Sequence, residues 1–425
     1  MDTGRWFVGV DWATEAHQVC VLSATGDVVG ERRIPHSGIG LHALVTWLRA
    51  LTDDQLAAVS VAIEVPRGGV VETLLGHGLH VAHCNPKQLD RFRDRITVAG
   101  AKDDRRDAWV LASALRTDPH CFHVVSAEDP QIIQLREVAR AEADLREEAN
   151  RLTNRVREQL LRYYPALLTL CPAMDAPWVW ALWELAPTPA AAGTLRLSRV
   201  ATLLKTHRIR RVDAPAVLAA LRVPPLTVAP GTAEAAQTHL QLLIARLRLV
   251  AVQRDACARA CAALLEALDT PPSPPPATNA APARPSDVRI LRSLPGVGRI
   301  VAATLLSDAA VALQDRNYAA LRAFSGVAPI TKQSGKRRVV SMRYACSARL
   351  RMALYHWARV STQCDAVAKA YYARLRARGQ THGRALRSVA DRWLRILMAM
   401  LTTGALYDPA HPRAGTPALT PPQHP

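Results

Sequence analysis

The sequence predicts an α/β plus α protein: an N-terminal mixed sheet covered by helices, a long helical and coiled-coil middle, and a mainly helical C-terminal domain. Three observations lead there. Short β-branched runs alternate with helical patterns up to about residue 125. Two long amphipathic stretches follow, at 128–162 and 232–268. The run "DTPPSPPPATNAAPARPS" then cannot continue a helix and has little to bury, and beyond it the charge balance changes sharply.

The elements follow in order. "WFVGVDWA" and "QVCVLSATGDVVGERRI" read as consecutive strands with a turn at Thr25 to Asp27, and "GLHALVTWLRAL" has helical spacing. "AAVSVAIEV" is a buried strand by its β-branched residues; a Gly-Gly turn leads into "VVETLLGHG" and then the short strand "HVAHCN". Hairpin strands followed by βα units imply a mixed sheet. His77, His80, His83 and Cys84 have a zinc-like spacing, but Gly76 and Gly78 interrupt the helix that would align them, so a turn and a strand are expected. From Glu128 to Arg162, Leu135, Val138, Leu145, Leu152, Val156 and Leu160 mark one face of a long helix. It serves either a dimerising coiled coil or packing within its own domain. Trp178, Trp180 and Trp183 read as core. "ILRSLPGVGRIVAATLLSD" has the form helix, Gly-rich turn, helix. The amides at Gly296 and Gly298 either receive a DNA phosphate or simply join two helices. The stretch after Phe324 is read as a loop from Pro329 to Arg338 that re-enters a helix near Cys346.

Charge narrows the partners. The chain has 54 Lys and Arg against 36 Asp and Glu, a formal +18. Between Arg284 and Arg395 the balance is 22 against 5, so nearly all of the excess sits in one C-terminal module. Such a surplus favours a polyanion, DNA or RNA, because each cation set against a phosphate releases counterions. No apolar run approaches the roughly 20 residues of a membrane helix. "MDTGRWFVGVDW" lacks the charged leader and apolar core of an export signal, and the eight cysteines include no CxxC pair, so a cytoplasmic location is expected.

Against this basic background the acidic cluster "AKDDRRDAW" stands out. If it is helical, Asp104 and Asp107 share a face and repel unless a cation lies between them. Asp11 ends the strand "FVGVD" and Glu64 ends "VSVAIE". Four carboxylates so placed can converge on one or two Mg²⁺ or Mn²⁺ ions, which prefer oxygen ligands. Asp103 points off the Asp104/Asp107 face. Each acid also has an ordinary explanation, in a turn, a strand end, or pairing with Arg105 and Arg106. In the basic module, Ser334 precedes Gly335 and stands among Lys332, Lys336, Arg337 and Arg338, with Arg343, Arg349 and Arg351 further along. Those cations can hold a phosphate and make the hydroxyl a nucleophile; otherwise the segment is a solvated basic loop.

Taken in order, "VGVDWA", "AIEV", "KDDRRDA", "LPGVG", "FSGVAPITKQSGK" and "RLRMAL" resemble the DEDD transposases of the one-ten insertion-sequence family, whose relatives include pilin-gene-inverting recombinases. The resemblance covers about Phe7 to Arg116 and Ile290 to Leu401. It implies an RNase H-like (RuvC-like) domain with Asp11, Glu64, Asp104 and Asp107 as metal ligands. It also implies a transposase domain in which Ser334 attacks DNA to form a phosphoserine link. Further implications are half-sites that meet across protomers, a homodimer assembling into a tetramer, and a structured noncoding RNA that bridges donor and target DNA. "MRYACSARLR" departs from the family's Lys-x-Gly-Asn turn, at Ala345 and Cys346.

The expected organisation is a RuvC-like catalytic domain at 1–125, helical and coiled-coil region at 126–269, Pro-rich linker at 270–286, basic helical transposase domain at 287–407 and disordered tail at 408–425. The expected function is a transposase or site-specific recombinase that cleaves and rejoins DNA of an insertion sequence. Two rivals are a metal-dependent junction endonuclease using activated water, and a nucleic-acid-binding protein without chemistry.

Overall fold

The computed structural model describes residues 6–96, 103–126, 129–270, 284–335 and 337–409. The chain divides into two units, Met1–Asp129 and Pro130–Pro425.

In the first unit β1 (Trp6–Asp11), β2 (Ala16–Ser23) and β3 (Val28–Pro35) form an antiparallel meander. β4 (Val59–Ile63) and β5 (His80–His83) continue the sheet parallel to β1, and β6 (His123–Val125) closes that edge antiparallel, giving the order β3-β2-β1-β4-β5-β6. Helices α1 (Gly38–Leu51), α2 (Gly69–Gly76), α3 (Pro86–Ile96) and α4 (Asp104–Thr117) cover it. The mixed sheet expected from the sequence is therefore present.

Strand alternation decides which residues meet which helix. Val8, Val10, Val19, Val21, Val61 and Ile63 share a core with Leu44, Val45 and Leu48 of α1. Phe7, Cys20, Leu22, Ala62 and Ala82 share the other with Ala108, Leu111, Ala112 and Leu115 of α4. Each fully buried Val or Leu contributes about 1.5–3 kcal/mol, so the two faces fix the register firmly. On the α4 face Gly9 meets Ala108 and Ala112, which lets that helix lie close to the sheet.

The second unit begins with α5 (Pro130–Tyr163). The helix expected from 128 starts at a proline, which is pre-set for the first turn; Glu128 lies outside the described residues. Short helices α6 (Ala166–Leu170), α7 (Pro177–Leu185), α8 (Pro189–Thr194), α9 (Leu197–Thr206) and α10 (Ala214–Leu221) lead to α11 (Thr232–Asp269). The two long helices run antiparallel. Leu152, Val156 and Leu160 share a core with Leu240, Leu243 and Leu247, while Leu135 and Ala139 share another with Cys261 and Leu265. The apolar face of α5 is thus covered by its own chain. Trp178, Trp180 and Trp183 are buried as expected, and the Trp183 indole donates to Tyr163 Oη at 3.0 Å.

Helices α12 (Asp287–Ser293), α13 (Arg299–Asp308), α14 (Ala310–Gln314), α15 (Tyr318–Phe324), α16 (Ala348–Cys364), α17 (Ala366–Ala377) and α18 (His382–Thr403) form the C-terminal bundle. Between α15 and α16 the expected loop is instead a two-stranded ribbon, β7 (Ile330–Ser334) and β8 (Arg337–Ser341). Its cross-strand bonds form between residues that bury almost nothing, so no apolar alternation announces them. Residues of the expected tail beyond 409 lie outside the described residues. Among the described residues no helix is long and apolar enough to cross a membrane.

Candidate active site

Parallel pairing of β1 with β4 runs to Val10 opposite Ile63, so Asp11 and Glu64 are the next residues at the carboxyl ends of neighbouring strands. By alternation both belong to the face that carries Phe7, Gly9 and Ala62, the face under α4. Both are half-buried. The loop leaving Asp11 is anchored by His17, which is fully buried. Its Nδ1 accepts the Ala13 amide at 3.3 Å, which leaves the ring proton on Nε2, donated to His36 Nδ1 at 2.8 Å. Burial, and then the charge of His36, lower the pKa of His17 and keep it neutral.

Gly9 sets how close α4 comes. A Cβ there would lie 1.8 Å from the Ala108 carbonyl oxygen and 2.7 Å from the Ala112 nitrogen, so helix backbone rests directly on strand backbone. Asp103 caps the helix, its carboxylate accepting the Arg105 amide at 3.2 Å. Asp104, exposed, and Asp107, 1% exposed, both lie in the first turn, where the helix dipole favours a carboxylate. A buried carboxylate needs a partner, and Asp107 has one in Arg93 of α3. The guanidinium donates through Nε at 2.5 Å and Nη2 at 2.8 Å, one bond to each oxygen. Arg93 Nη1 also reaches Asp90 at 2.5 Å. Of the arginines next to Asp104, Arg105 turns away to Glu31 on β3.

Arg93 ties the acids together. Burial opposes its charge, but the hydrogen bond and charge of Asp107, followed by the charges of Asp90 and Glu64, outweigh that and raise its pKa. The same neighbourhood holds Cys84, whose thiol is pushed up to about 11 by burial first and then by Glu64, so it stays protonated. Arg93 and His17 were missed by the sequence reading, and Asp103, set aside there as pointing off the Asp104/Asp107 face, caps the helix. Asp103 alone had a local signal, an acid immediately before a helical pattern. Arg93 stands 14 residues from Asp107, and no periodicity links them.

Four carboxylates suit a hard divalent ion in kind: Asp11 and Glu64 stand at the strand ends beneath α4, and Asp104 and Asp107 in its first turn, the one exposed and the other buried. Among the described residues, however, no three His, Cys, Asp or Glu side chains are gathered closely enough to hold one. Arg93 supplies the positive charge at Asp107 that an ion would otherwise supply. Ion binding through Asp107 would have to share the carboxylate with the guanidinium or displace it.

Ser334 belongs to the second unit. It ends β7 directly opposite Arg337, and the two connecting residues include Gly335 at φ +56°, a left-handed conformation that glycine adopts without strain. Ser334, Lys332, Arg337 and Arg338 are all exposed, while Lys336 lies outside the described residues. Gly296, at φ +83°, packs inward: a Cβ would stand 2.9 Å from the Ser361 nitrogen of α16, and Trp357 donates to the Pro295 carbonyl at 3.0 Å. Gly298 opens α13 with clear space beside it. Arg349 is half-buried and pairs with Asp308 at 3.2 Å; Arg343 and Arg351 are half-buried too. At the point of departure from the family turn, Ser347 caps α16 by accepting the Leu350 amide at 3.2 Å.

Comparison with known proteins covers both units. A family profile described as a transposase of the DEDD, IS110 type matches residues 8–165, and one described as the transposase IS116/IS110/IS902 family matches 288–373. The chain is 53% identical over 215 residues, half of its length, to y4uE of Sinorhizobium fredii, a protein provisionally named a transposase; the match spans 60% of that relative. Over 97% of both chains it is 30% identical to the mini-circle protein for IS117 of Streptomyces coelicolor, likewise provisionally named a transposase. It is also 30% identical, over 96% of both chains, to the 43.6 kDa protein of insertion element IS110 from that organism. Full-length similarity, the two matched profiles and the sheet with its strand-end acids together mean that the chain belongs to the IS110 family of transposases.

Proposed function

We propose that this transposase cleaves and rejoins the DNA strands of an insertion sequence with Ser334 as nucleophile and Asp11, Glu64, Asp104 and Asp107 as the divalent-metal site. The observation that carries the serine assignment is the ribbon register. Ser334 and Arg337 are directly opposed, so their side chains share one face, and Lys332 lies two residues back on that face. An exposed hydroxyl is thereby flanked by two cations that can bind the oxygens of a phosphodiester and stabilise the charge that develops on them.

In the cleavage step the Ser334 oxygen forms a bond to phosphorus, the bond from phosphorus to one DNA sugar oxygen breaks, and the hydroxyl proton ends on that leaving oxygen. One phosphodiester replaces another, so the energy of the bond is kept for rejoining. A bound Mg²⁺ or Mn²⁺ would supply positive charge against the phosphate oxygens. The carboxylates hold that site on a rigid sheet. The basic surface binds DNA ends and a structured noncoding guide RNA, and homodimers assemble into a tetramer to bring half-sites together.

The test is to trap protein–DNA adducts in denaturing detergent, using native flanking DNA, for the wild type, Ser334→Ala and Asp104→Ala. An adduct confined to the wild type is expected. Free-ended cleavage that is unchanged in Ser334→Ala would instead assign the chemistry to metal-activated water.

A further inference from the structure

The chain has a second concentration of positive charge, which the proposed chemistry does not use. Residues 196–211, running from the start of α9 into the loop before α10, contain six Lys or Arg and no Asp or Glu. Helices α5 and α11 together are nearly balanced, at 11 against 10. Arg196, Arg199, Lys205, Arg208, Arg210 and Arg211 are all exposed. Arg151, Arg246, Arg248 and Arg259 of the long helices each reach a carboxylate, whereas among the described residues none of these six does. The acid that follows, Asp213, is taken up as the cap of α10, where it accepts the Ala216 amide at 2.8 Å. Like charges gathered without a counter-charge repel one another, and a polyanion relieves that repulsion.

Local geometry fixes two of these cations. α9 ends in a Schellman turn, in which the Arg208 amide donates to the Lys205 carbonyl at 3.1 Å and the Ile209 amide to the Leu204 carbonyl at 2.8 Å. Arg208 takes the left-handed position of that turn at φ +54°, where glycine is usual and a side chain is strained. Arg211 lies over the Trp178 ring, 5.7 Å from its centroid, so the ring orients a guanidinium that remains exposed. Trp178 itself is buried, and residues 196–211 contain no Phe, Tyr or Trp on which unpaired bases could stack. Exposed cations without a stacking platform suit the regular phosphates of a duplex. The family's substrate makes that duplex DNA.

The spacing of the second unit fits such a partner. Leu240 and Leu243 of α11 pack in the core shared with the short helices, and Cys261 and Leu265 in the core of the C-terminal bundle. Leu240 and Cys261 are 21 positions apart on one unbroken helix, roughly 32 Å at 1.5 Å per residue. One turn of B-form DNA is about 34 Å.

We propose that Arg196, Arg199, Lys205, Arg208, Arg210 and Arg211 form a second DNA-binding surface, which holds the phosphate backbone of duplex DNA about one helical turn from the cleavage position. It touches no base, which leaves sequence recognition to the guide RNA. The distance from the cut rests on Ser334 as the nucleophile; the binding does not.

The test reads binding without chemistry. Full-length wild type and a variant carrying Lys205→Gln, Arg208→Gly and Arg210→Gln are bound to native element-end duplex in chelator, so that no metal-dependent cleavage runs. Hydroxyl-radical footprinting locates the contacts, and a salt series gives the affinity. The wild type should protect a patch about one turn from the cut, mapped separately by adduct trapping with metal, and the variant should lose that patch alone. With duplexes of any sequence, the variant's plot of log affinity against log salt should be shallower by about 2.7, at about 0.9 for each lost phosphate contact. Arg208→Gly alone should raise the urea midpoint, because glycine accepts the left-handed turn, while it weakens DNA binding. A midpoint that falls together with affinity would make these cations structural and overturn the proposal. So would an unchanged footprint and salt slope, or a loss confined to an RNA duplex of equal length. If adducts persist in Ser334→Ala, the nucleophile lies elsewhere; loss of the protected patch in the variant then still supports the surface and removes only its stated distance from the cut.

Discussion

The acidic site and the serine ribbon are built in opposite ways. Asp107 is 1% exposed, carried by a helix that rests on Gly9, and neutralised by an arginine from another helix. Ser334 ends a ribbon whose strands have no core, and its neighbours are fixed by cross-strand register alone. One site is inseparable from the stability of its domain; the other can be altered almost without stability cost. Substitutions ought therefore to separate the two, with effects on unfolding that fall steeply from the first site to the second.

The largest effect should come from Arg93→Ala. It leaves the Asp107 carboxylate buried without its partner, and breaking such a pair costs about 3–5 kcal/mol. Urea unfolding measures it, and the sharper version adds Mn²⁺. If the acids take up the ion once the guanidinium is gone, the midpoint of the variant rises with Mn²⁺ more than that of the wild type. An equal response in both would mean that Arg93 does not compete for the site.

Gly9→Ala comes next. Its new methyl would lie 1.8 Å from the Ala108 carbonyl oxygen, so α4 has to move outward, at about 1–3 kcal/mol. Because α4 carries Asp104 and Asp107, strand cleavage should fall as well as the unfolding midpoint. Full activity in a destabilised Gly9→Ala would show that the position of α4 is not critical. Asp103→Ala removes only a helix cap and should cost about 1 kcal/mol, read in the same denaturation series. Asp103→Asn, which keeps the capping oxygen, should recover most of that loss.

The same contrast explains what the sequence made legible. Helices α5 and α11 bury one face each, and that burial writes a period into the chain, while β1 and β4 are buried on both faces and show as short continuous apolar runs; the end expected for α11 at 268 differs from the observed Asp269 by a single residue. Asp11 and Glu64 were readable because an acid that ends an apolar strand is conspicuous. Arg93 was not, because an arginine in "DRFRDR" looks like any other charge on a solvated helix. The ribbon was read as a loop because "ITKQSGKRRVVS" buries no face, and backbone pairing without burial leaves no period. Gly296 was a possible phosphate contact in sequence, yet its turn packs against α16, a close approach between segments some 60 residues apart that no local pattern records.

The smallest stability effect and the largest functional one should coincide at Ser334→Ala. The side chain is exposed at a strand end, and surface substitutions of that kind usually stay within about 0.5 kcal/mol. The unfolding midpoint should therefore match the wild type, and DNA affinity should be nearly unchanged because Lys332, Arg337 and Arg338 remain. Covalent adduct formation should nevertheless vanish. Ser334→Cys sharpens the point, since a thiolate in the same place keeps a nucleophile while changing its chemistry; slow adduct formation that rises with pH through the thiol range, near 8.5, would mark this position as the attacking atom. A silent Ser334→Ala, with adducts intact, would move the nucleophile elsewhere and leave the ribbon as a DNA-positioning arm.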